Sequence, residues 1–221
     1  MTPTLTWRSR HHHLLIQPWG TDSIRVRANL GPIRDDTPHA LLPSPQTDPT
    51  KTTITHDDGE QFLHHGRVTV RLTPDGTLTF IHSQTGQQLL AEKNGRPGWP
   101  PARYLRHGPG DLREITASFM PHDDEKFYGL GQRQHGRLDQ KGCVIPLQQY
   151  NTEVNIPFLL SNRGYGFLWN NPGVGRVELG TNQTSWVMDA TRGIDYYIVA
   201  GDSPAEILEK YINATGHPPL L

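Results

Sequence analysis

The feature that most constrains this chain is a short segment, repeated many times, in which apolar and polar residues alternate. In "DSIRVRANL", Ile24, Val26, Ala28 and Leu30 alternate with Arg25, Arg27 and Asn29. Successive side chains of an extended chain point to opposite faces, so this spacing predicts a strand with one buried face and one wet face. In "GRVTVRLTPDGTLTFIHSQTG", Val68, Val70 and Leu72 alternate with Thr69, Arg71 and Thr73, and Leu78 and Phe80 continue the apolar face. Asp75-Gly76 between them supplies the positive φ of a hairpin turn. "REITASFM" repeats the pattern at Ile115, Ala117 and Phe119, and "PFLLS", "GYGFLWN", "GRVELG", "TSWVMDA" and "IDYYIVAG" follow. About a dozen short strands with turn signals every eight to twelve residues predict a β-sandwich. The 22 glycines and 19 prolines among 221 residues suit many turns rather than long helices.

One helix is expected. "SPAE" at Ser203–Glu206 reads as a capping box with proline at the first helical position. Ile207, Leu208, Tyr211 and Ile212 give an apolar stripe at helical spacing, and Gly216 with Pro218-Pro219 closes it. Two proline-rich stretches, Gly31 to Asp58 and Asn94 to Pro109, read as long loops.

Charge and composition remove several functions. A net charge of −1 gives no broad pull toward nucleic acid or anionic lipid. No stretch is apolar enough to span a bilayer, and the N-terminus lacks the apolar core of a signal peptide. The single Cys143 fits a reducing compartment, so a cytoplasmic protein is expected. There is no phosphate-binding GxxxxGK[ST] and no GxSxG elbow, and Gly129, Gly131 and Gly136 do not fit GxGxxG. His11, His12 and His13 are adjacent, so in a strand they cannot converge on one ion; no metal and no cofactor is expected.

The segment "FYGLGQRQHGRLDQKG", Phe127 to Gly142, stands out, as does the polar run that precedes "NIPFLLSNRGYGFLWNN". Sugars are held by planar amides, guanidinium groups and aromatic faces. Gln132, Arg133, His135, Arg137 and Asp139 are candidates on the first loop, and Gln148, Gln149, Tyr150 and Asn151 on the second. A stand-alone carbohydrate-binding protein is one reading. An aldose-1-epimerase is another, with His135 and Glu153 as acid and base.

These stretches resemble the N-terminal domain of glycoside hydrolase family 31, the α-glucosidase and α-xylosidase family. Phe127-Tyr128-Gly129-Leu130-Gly131-Gln132 matches its F-Y-G-L/F-G-E/Q segment. Asn155-Ile156-Pro157-Phe158, then Gly164-Tyr165-Gly166 with Asn170-Asn171, match the hairpin that follows. "PWGTDSIRVR" near Trp19 resembles the first strand, and "YYIVAGDSPAEILEKYINATGHPPLL" the lead into the catalytic barrel. Gln132 with "QRQHGRLDQKG" is closer to xylosidase-like bacterial members.

The resemblance implies an all-β, galactose mutarotase-like β-supersandwich over residues 1–202. Residues 203–221 would form a capped helix and linker toward a (β/α)₈ barrel supplied in cis or in trans. The family's catalytic aspartates lie in that barrel, which needs roughly 250 residues of its own. No catalytic residue is therefore expected in this chain. The implied ligand is an α-linked glucoside or xyloside in the full-length context. Gln148 to Asn151 would help form the rim around its non-reducing end. Pro157, Phe158, Leu159, Phe167 and Trp169 would pack in the core.

Overall fold

The computed structural model describes residues 2–34, 40–43, 47–93, 100–217 and 219. Among these, seventeen strands form three antiparallel sheets, with one α-helix and one 3₁₀ turn. In chain order the strands are β1 (Leu5–Ser9), β2 (His12–Pro18), β3 (Ser23–Leu30), β4 (Thr52–Asp57), β5 (Glu60–His65) and β6 (Val68–Leu72). There follow β7 (Leu78–His82), β8 (Gln88–Ala91), β9 (Arg103–His107), β10 (Arg113–Phe119), β11 (Phe127–Gln132) and β12 (Val144–Leu147). The last are β13 (Val154–Ser161), β14 (Tyr165–Trp169), β15 (Gly175–Leu179), β16 (Thr184–Thr191) and β17 (Ile194–Ala200), before helix α1 (Pro204–Thr215).

The large sheet runs β1-β2-β3-β17-β14-β13-β11. The two smaller sheets, β12-β15-β16-β10-β9 and β4-β5-β6-β7-β8, share one core with its inner face. Aromatic rings join the three. Phe167 and Tyr196 of the large sheet stack at 5.1 Å, Trp186 lies 5.0 Å from Phe167, and Phe80 meets Tyr196 edge-on at 6.2 Å. Offset and edge-to-face pairs of this kind each add about 0.5–1.5 kcal/mol beyond area burial.

Part of the outer face of the large sheet is also covered. α1 packs on β14 and β17 through Ile207 and Ala214, and Tyr211 stacks on Phe158 of β13 at 3.9 Å. This changes the expectation of a wet face on β3. Arg25 and Arg27 are 7% and 5% exposed. Arg25 Nε and Nη2 donate to the two carboxylate oxygens of Asp195 at 3.0 and 2.6 Å, and the guanidinium lies 4.4 Å from the Trp19 ring centre. Alternation reports two distinct faces, but it does not report whether another layer covers the polar one.

Two stretches expected as loops contain strands. Within Gly31 to Asp58, β4 pairs with β5 through the Asp58-Gly59 turn, where both residues have positive φ (45° and 78°). Prolines upstream masked that signal; Pro38 and Pro45 lie outside the described residues. Within Asn94 to Pro109, β9 pairs along β10 as an edge strand; residues 94–99 lie outside the described residues. Pro157 is half-buried rather than packed in the core, whereas Phe158, Leu159, Phe167 and Trp169 are buried. The Asp75-Gly76 turn joins β6 to β7 as expected.

α1 is capped by Ser203, whose side chain accepts from Glu206 N at 3.2 Å. The Glu206 carboxylate does not return to Ser203. It accepts from Asp202 N and from Lys210 Nζ at 2.9 and 2.7 Å, and Arg67 joins it at 3.1 Å. Gly216, at φ 106°, caps the other end; Pro218 lies outside the described residues.

Burial lifts the phenols of Tyr165, Tyr196 and Tyr197 above the ordinary tyrosine range. The carboxylates of Glu125 and Glu92 reinforce the first two. In the unfolded chain these phenols ionise near pH 10, as ordinary tyrosines do. Above that pH the unfolded state binds fewer protons than the folded one, so stability falls as pH rises. Each phenol contributes about 1.4 kcal/mol of loss per unit until its own folded-state pKa is reached. Urea unfolding followed by far-UV circular dichroism should show full stability at pH 9 and a loss of about 4 kcal/mol by pH 11. A flat profile across that interval would contradict the burial.

Candidate functional site

The site is built on the glycines of the Phe127–Gln132 segment. Gly129, Leu130 and Gly131 all have positive φ (102°, 65° and 86°). Gly129 pairs with Leu159 and Gly131 with Asn155, so Leu130 alone opposes residues 156–158. A Cβ at Gly129 would lie 2.8 Å from Phe158 O, and one at Gly131 only 1.9 Å from Val154 O. Only glycine fits at either place.

This irregularity buries the Leu130 side chain and turns its carbonyl toward Arg133, whose Nε and Nη2 donate at 3.1 and 2.8 Å. Arg133 also donates to Asn155 Oδ1 at 2.7 Å and Glu153 Oε2 at 3.3 Å. The arginine thus ties the first polar loop to the start of β13. Asp139 closes the same loop by accepting from Phe127 N and Lys141 N at 3.1 and 3.0 Å. Gln132, His135 and Arg137 are exposed. The His135 ring accepts from Arg137 N at 3.1 Å, and Arg137 Nη2 donates to Lys141 O at 3.2 Å. The anticipated His135–Glu153 couple is not assembled: Glu153 is held by Arg133, and His135 turns to its own loop.

The second segment forms the turn before β13. Gln149 Nε2 donates to the carbonyls of Tyr150 and Glu153, and its Oε1 accepts from Asn155 N at 3.2 Å. Tyr150, 45% exposed, donates its hydroxyl to Gln148 Oε1 at 3.3 Å. Gln148 and Gln149 line a cleft of about 450 Å³ with Asn155, Pro157, Asn170 and Asn171. Tyr150 and the exposed Asn151 sit on the turn beside it. The asparagines were legible only as motif matches, and the structure gives them work. Asn170 Oδ1 accepts from Ala40 N and Leu41 N at 3.0 and 3.3 Å, and its Nδ2 donates to Asp195 at 2.9 Å. Asn171 accepts from Gly173 N and donates to Gly193 O at 3.0 and 2.8 Å. The result is an amide-walled hollow whose rear wall is fixed by internal bonds.

A smaller cleft of about 200 Å³ brings His12 and His13 near Glu92. Glu92 is fully committed there. Arg103 Nη1 donates to both its oxygens at 2.6 and 2.5 Å, and Leu78 N donates at 2.9 Å. Burial raises the Glu92 pKa against the opposing pull of Arg103, and burial lowers that of His12. A carboxylate held by one arginine nitrogen and a backbone N–H is a strut between sheets rather than a mobile base. Among the described residues, no helix is long and apolar enough to cross a membrane.

Comparison with known proteins agrees with the geometry. Residues 14–178 match the glycosyl hydrolase 31 N-terminal galactose mutarotase-like domain. An uncharacterized family 31 glucosidase of Pseudescherichia vulneris is 35% identical, over 97% of this chain and 43% of its own length. Alpha-xylosidase A of Aspergillus niger is 31% identical, over 93% of this chain and 31% of its own. The crystal structure of a GH31 alpha-xylosidase from a soil metagenome, complexed with xylose, superposes with a TM-score of 0.92 at 35% identity. That match covers 100% of this chain and 35% of the xylosidase. The chain therefore spans between about a third and just over two fifths of the length of these relatives. Its sheets, its glycine-built irregularity in β11 and its matched span together make it a member of the glycoside hydrolase family 31 N-terminal, galactose mutarotase-like domain family.

Proposed function

We propose that this domain is the non-catalytic support of a retaining α-glycosidase of the xylosidase or glucosidase type. It braces a catalytic barrel and lends Gln148, Gln149, Tyr150 and Asn151 to the rim of the sugar site, with Gln132, His135 and Arg137 on the neighbouring loop. Arg133 and Asp139 hold that loop in shape. The substrate class is an α-linked xyloside or glucoside, and the compartment is the cytoplasm, in keeping with the single, unpaired Cys143.

One observation carries this reading. Carboxylates on the two polar segments and in the smaller cleft are committed to the fold: Glu153 to Arg133, Asp139 to the backbone and Glu92 to Arg103. The solvent-facing groups are amides, a phenol, the Arg137 guanidinium and the His135 imidazole, which suit hydroxyl groups, and the imidazole is hydrogen-bonded within its own loop rather than to a carboxylate.

The purified chain should leave p-nitrophenyl α-xyloside and α-glucoside intact and should not accelerate mutarotation of fresh α-glucose in polarimetry. Turnover that survives repurification and disappears in Glu153→Gln or His135→Ala would overturn this and favour the epimerase reading.

A further inference from the structure

The sheet β12-β15-β16-β10-β9 has one face in the core and one face outside. Ile115 and Ala117 of β10 are each 1% exposed on the inner face, so Thr116 and Ser118 stand on the outer one. Tyr104 of β9 pairs directly with Thr116 and is 44% exposed. These three residues share a cleft of about 570 Å³ with Lys93, Pro100, Pro101, Asn182 and Gln183.

The walls of this cleft are set by the fold. Ser118 N donates to Ala102 O at 2.8 Å and Lys93 N to Ser118 O at 3.0 Å, which holds Pro101 and Lys93 beside β10. Gln183 Nε2 donates to Ser185 Oγ at 2.9 Å, and its Oε1 accepts from Lys93 Nζ at 2.7 Å. A side-chain amide has two N–H donors and an oxygen with two lone pairs. Gln183 is therefore oriented by two bonds and keeps one donor and one lone pair for a ligand. Asn182 is exposed on the turn beside it.

The chemistry of the lining selects the ligand. Among the described residues no carboxylate lines this cleft, whereas a hard cation calls for carboxylate oxygens. What the cleft offers is an exposed aromatic ring, proline CH surface, hydroxyls and amides. A ring presents an apolar face and amides present paired donors and acceptors, which together match a pyranose with its CH face and its hydroxyls.

We infer that this cleft is a second carbohydrate site, which takes a neutral oligosaccharide by stacking one sugar face on Tyr104 and bonding its hydroxyls to Thr116, Asn182 and Gln183. From the function proposed above it takes only the ligand class. The site is remote from the amide cleft: Tyr104 stands on one edge strand of the sheet, and Leu147, which lines the amide cleft, on the other. Four strand spacings of about 4.8 Å, or about 19 Å, separate the two edges. A glycan held at Tyr104 leaves Gln148–Asn151 open.

The test is a titration of the ¹⁵N-labelled 221-residue chain with isomaltotriose, read by amide chemical shifts. Shifts should centre on Tyr104, Thr116, Asn182 and Gln183 and saturate with a Kd of about 1–10 mM, as befits one half-exposed ring and a few polar groups. Tyr104→Ala should weaken binding at least about tenfold at an unchanged Tm, and Tyr104→Phe, which keeps the ring, should stay within about threefold of the parent. Shifts confined to Gln148–Asn151 would overturn this inference and leave the proposed function standing. So would the absence of any shift, or binding that Tyr104→Ala does not weaken. Glucose 6-phosphate taken up in place of isomaltotriose would assign the cleft to an anion through Lys93 and overturn it too. Release of glucose from isomaltotriose in the same sample would overturn the proposed function and leave this site standing.

Discussion

Gly131→Ala should leave the domain unable to hold its native structure, whereas Gly136→Ala should cost about 1–2 kcal/mol, the penalty for placing an L-residue in the left-handed region. Both glycines have positive φ, 86° and 68°, so the backbone penalty is shared. The surroundings differ. An added Cβ at Gly136 meets nothing within 4 Å, while at Gly131 it lies 1.9 Å from Val154 O and 2.9 Å from Ile156 N. Those are main-chain atoms of the paired strand, so no side-chain rotation relieves the clash. Relief requires β11 and β13 to part. That would release the Arg133 bonds to Leu130, Asn155 and Glu153 and expose Leu130, now fully buried. A loss above about 4 kcal/mol is expected, close to the whole stability of a domain at the low end of the usual range. Urea unfolding of the two variants beside the parent measures it. If Gly131→Ala falls within about 1 kcal/mol of Gly136→Ala, the close approach of the strands is wrong.

Asp195→Ala should cost about 3–5 kcal/mol, because it strands the charge of a buried arginine. Arg25 would keep its place against Trp19 and lose the carboxylate that receives both its Nε and Nη2. Asn170 would lose its acceptor as well, loosening the tie between β14 and residues 40 and 41. A companion variant separates the charge from the packing. Arg25→Met with Asp195→Leu removes both charges and fills the space with apolar side chains, and such replacements are often close to neutral. The double variant should therefore recover the part of the loss that comes from the unpaired Arg25 charge, while the Asn170 acceptor stays missing in both. Equal losses in the two would mean that packing, not the unpaired charge, sets the cost. A loss under 1 kcal/mol for Asp195→Ala would mean that Arg25 finds water instead.

The two variants also mark how far the sequence could be read. Gly131 was legible as part of a family motif, and the hairpin at Asp75-Gly76 was legible from turn chemistry. The same chemistry at Asp58-Gly59 went unread, because the prolines before it suggested a loop. Asp195 carried no signal. Its partner Arg25 lies 170 residues away, and the alternation in β3 placed that arginine on a wet face. Burial of Arg25 depends on the Asp195 carboxylate and the Trp19 ring that flank it, and only the pairing of β3 with β17 brings that carboxylate there. Within the candidate site, Arg133 and Asp139 looked like ligand contacts because their types suit sugars, but a guanidinium suits a backbone carbonyl equally well. The asparagines at 155, 170 and 171 looked like motif punctuation, yet they wall the cleft.

The sequence by itself determined the all-β class, the single capped helix, the glycine-built segment at Phe127–Gln132 and the family. Each of these is written in local chemistry, through alternation, capping, positive φ and short motifs. The tertiary structure alone decided which polar side chains are buried struts and which face solvent, and where the amide cleft forms. These depend on which layer covers which face, and that is fixed by contacts between residues far apart in the chain, which no local pattern encodes.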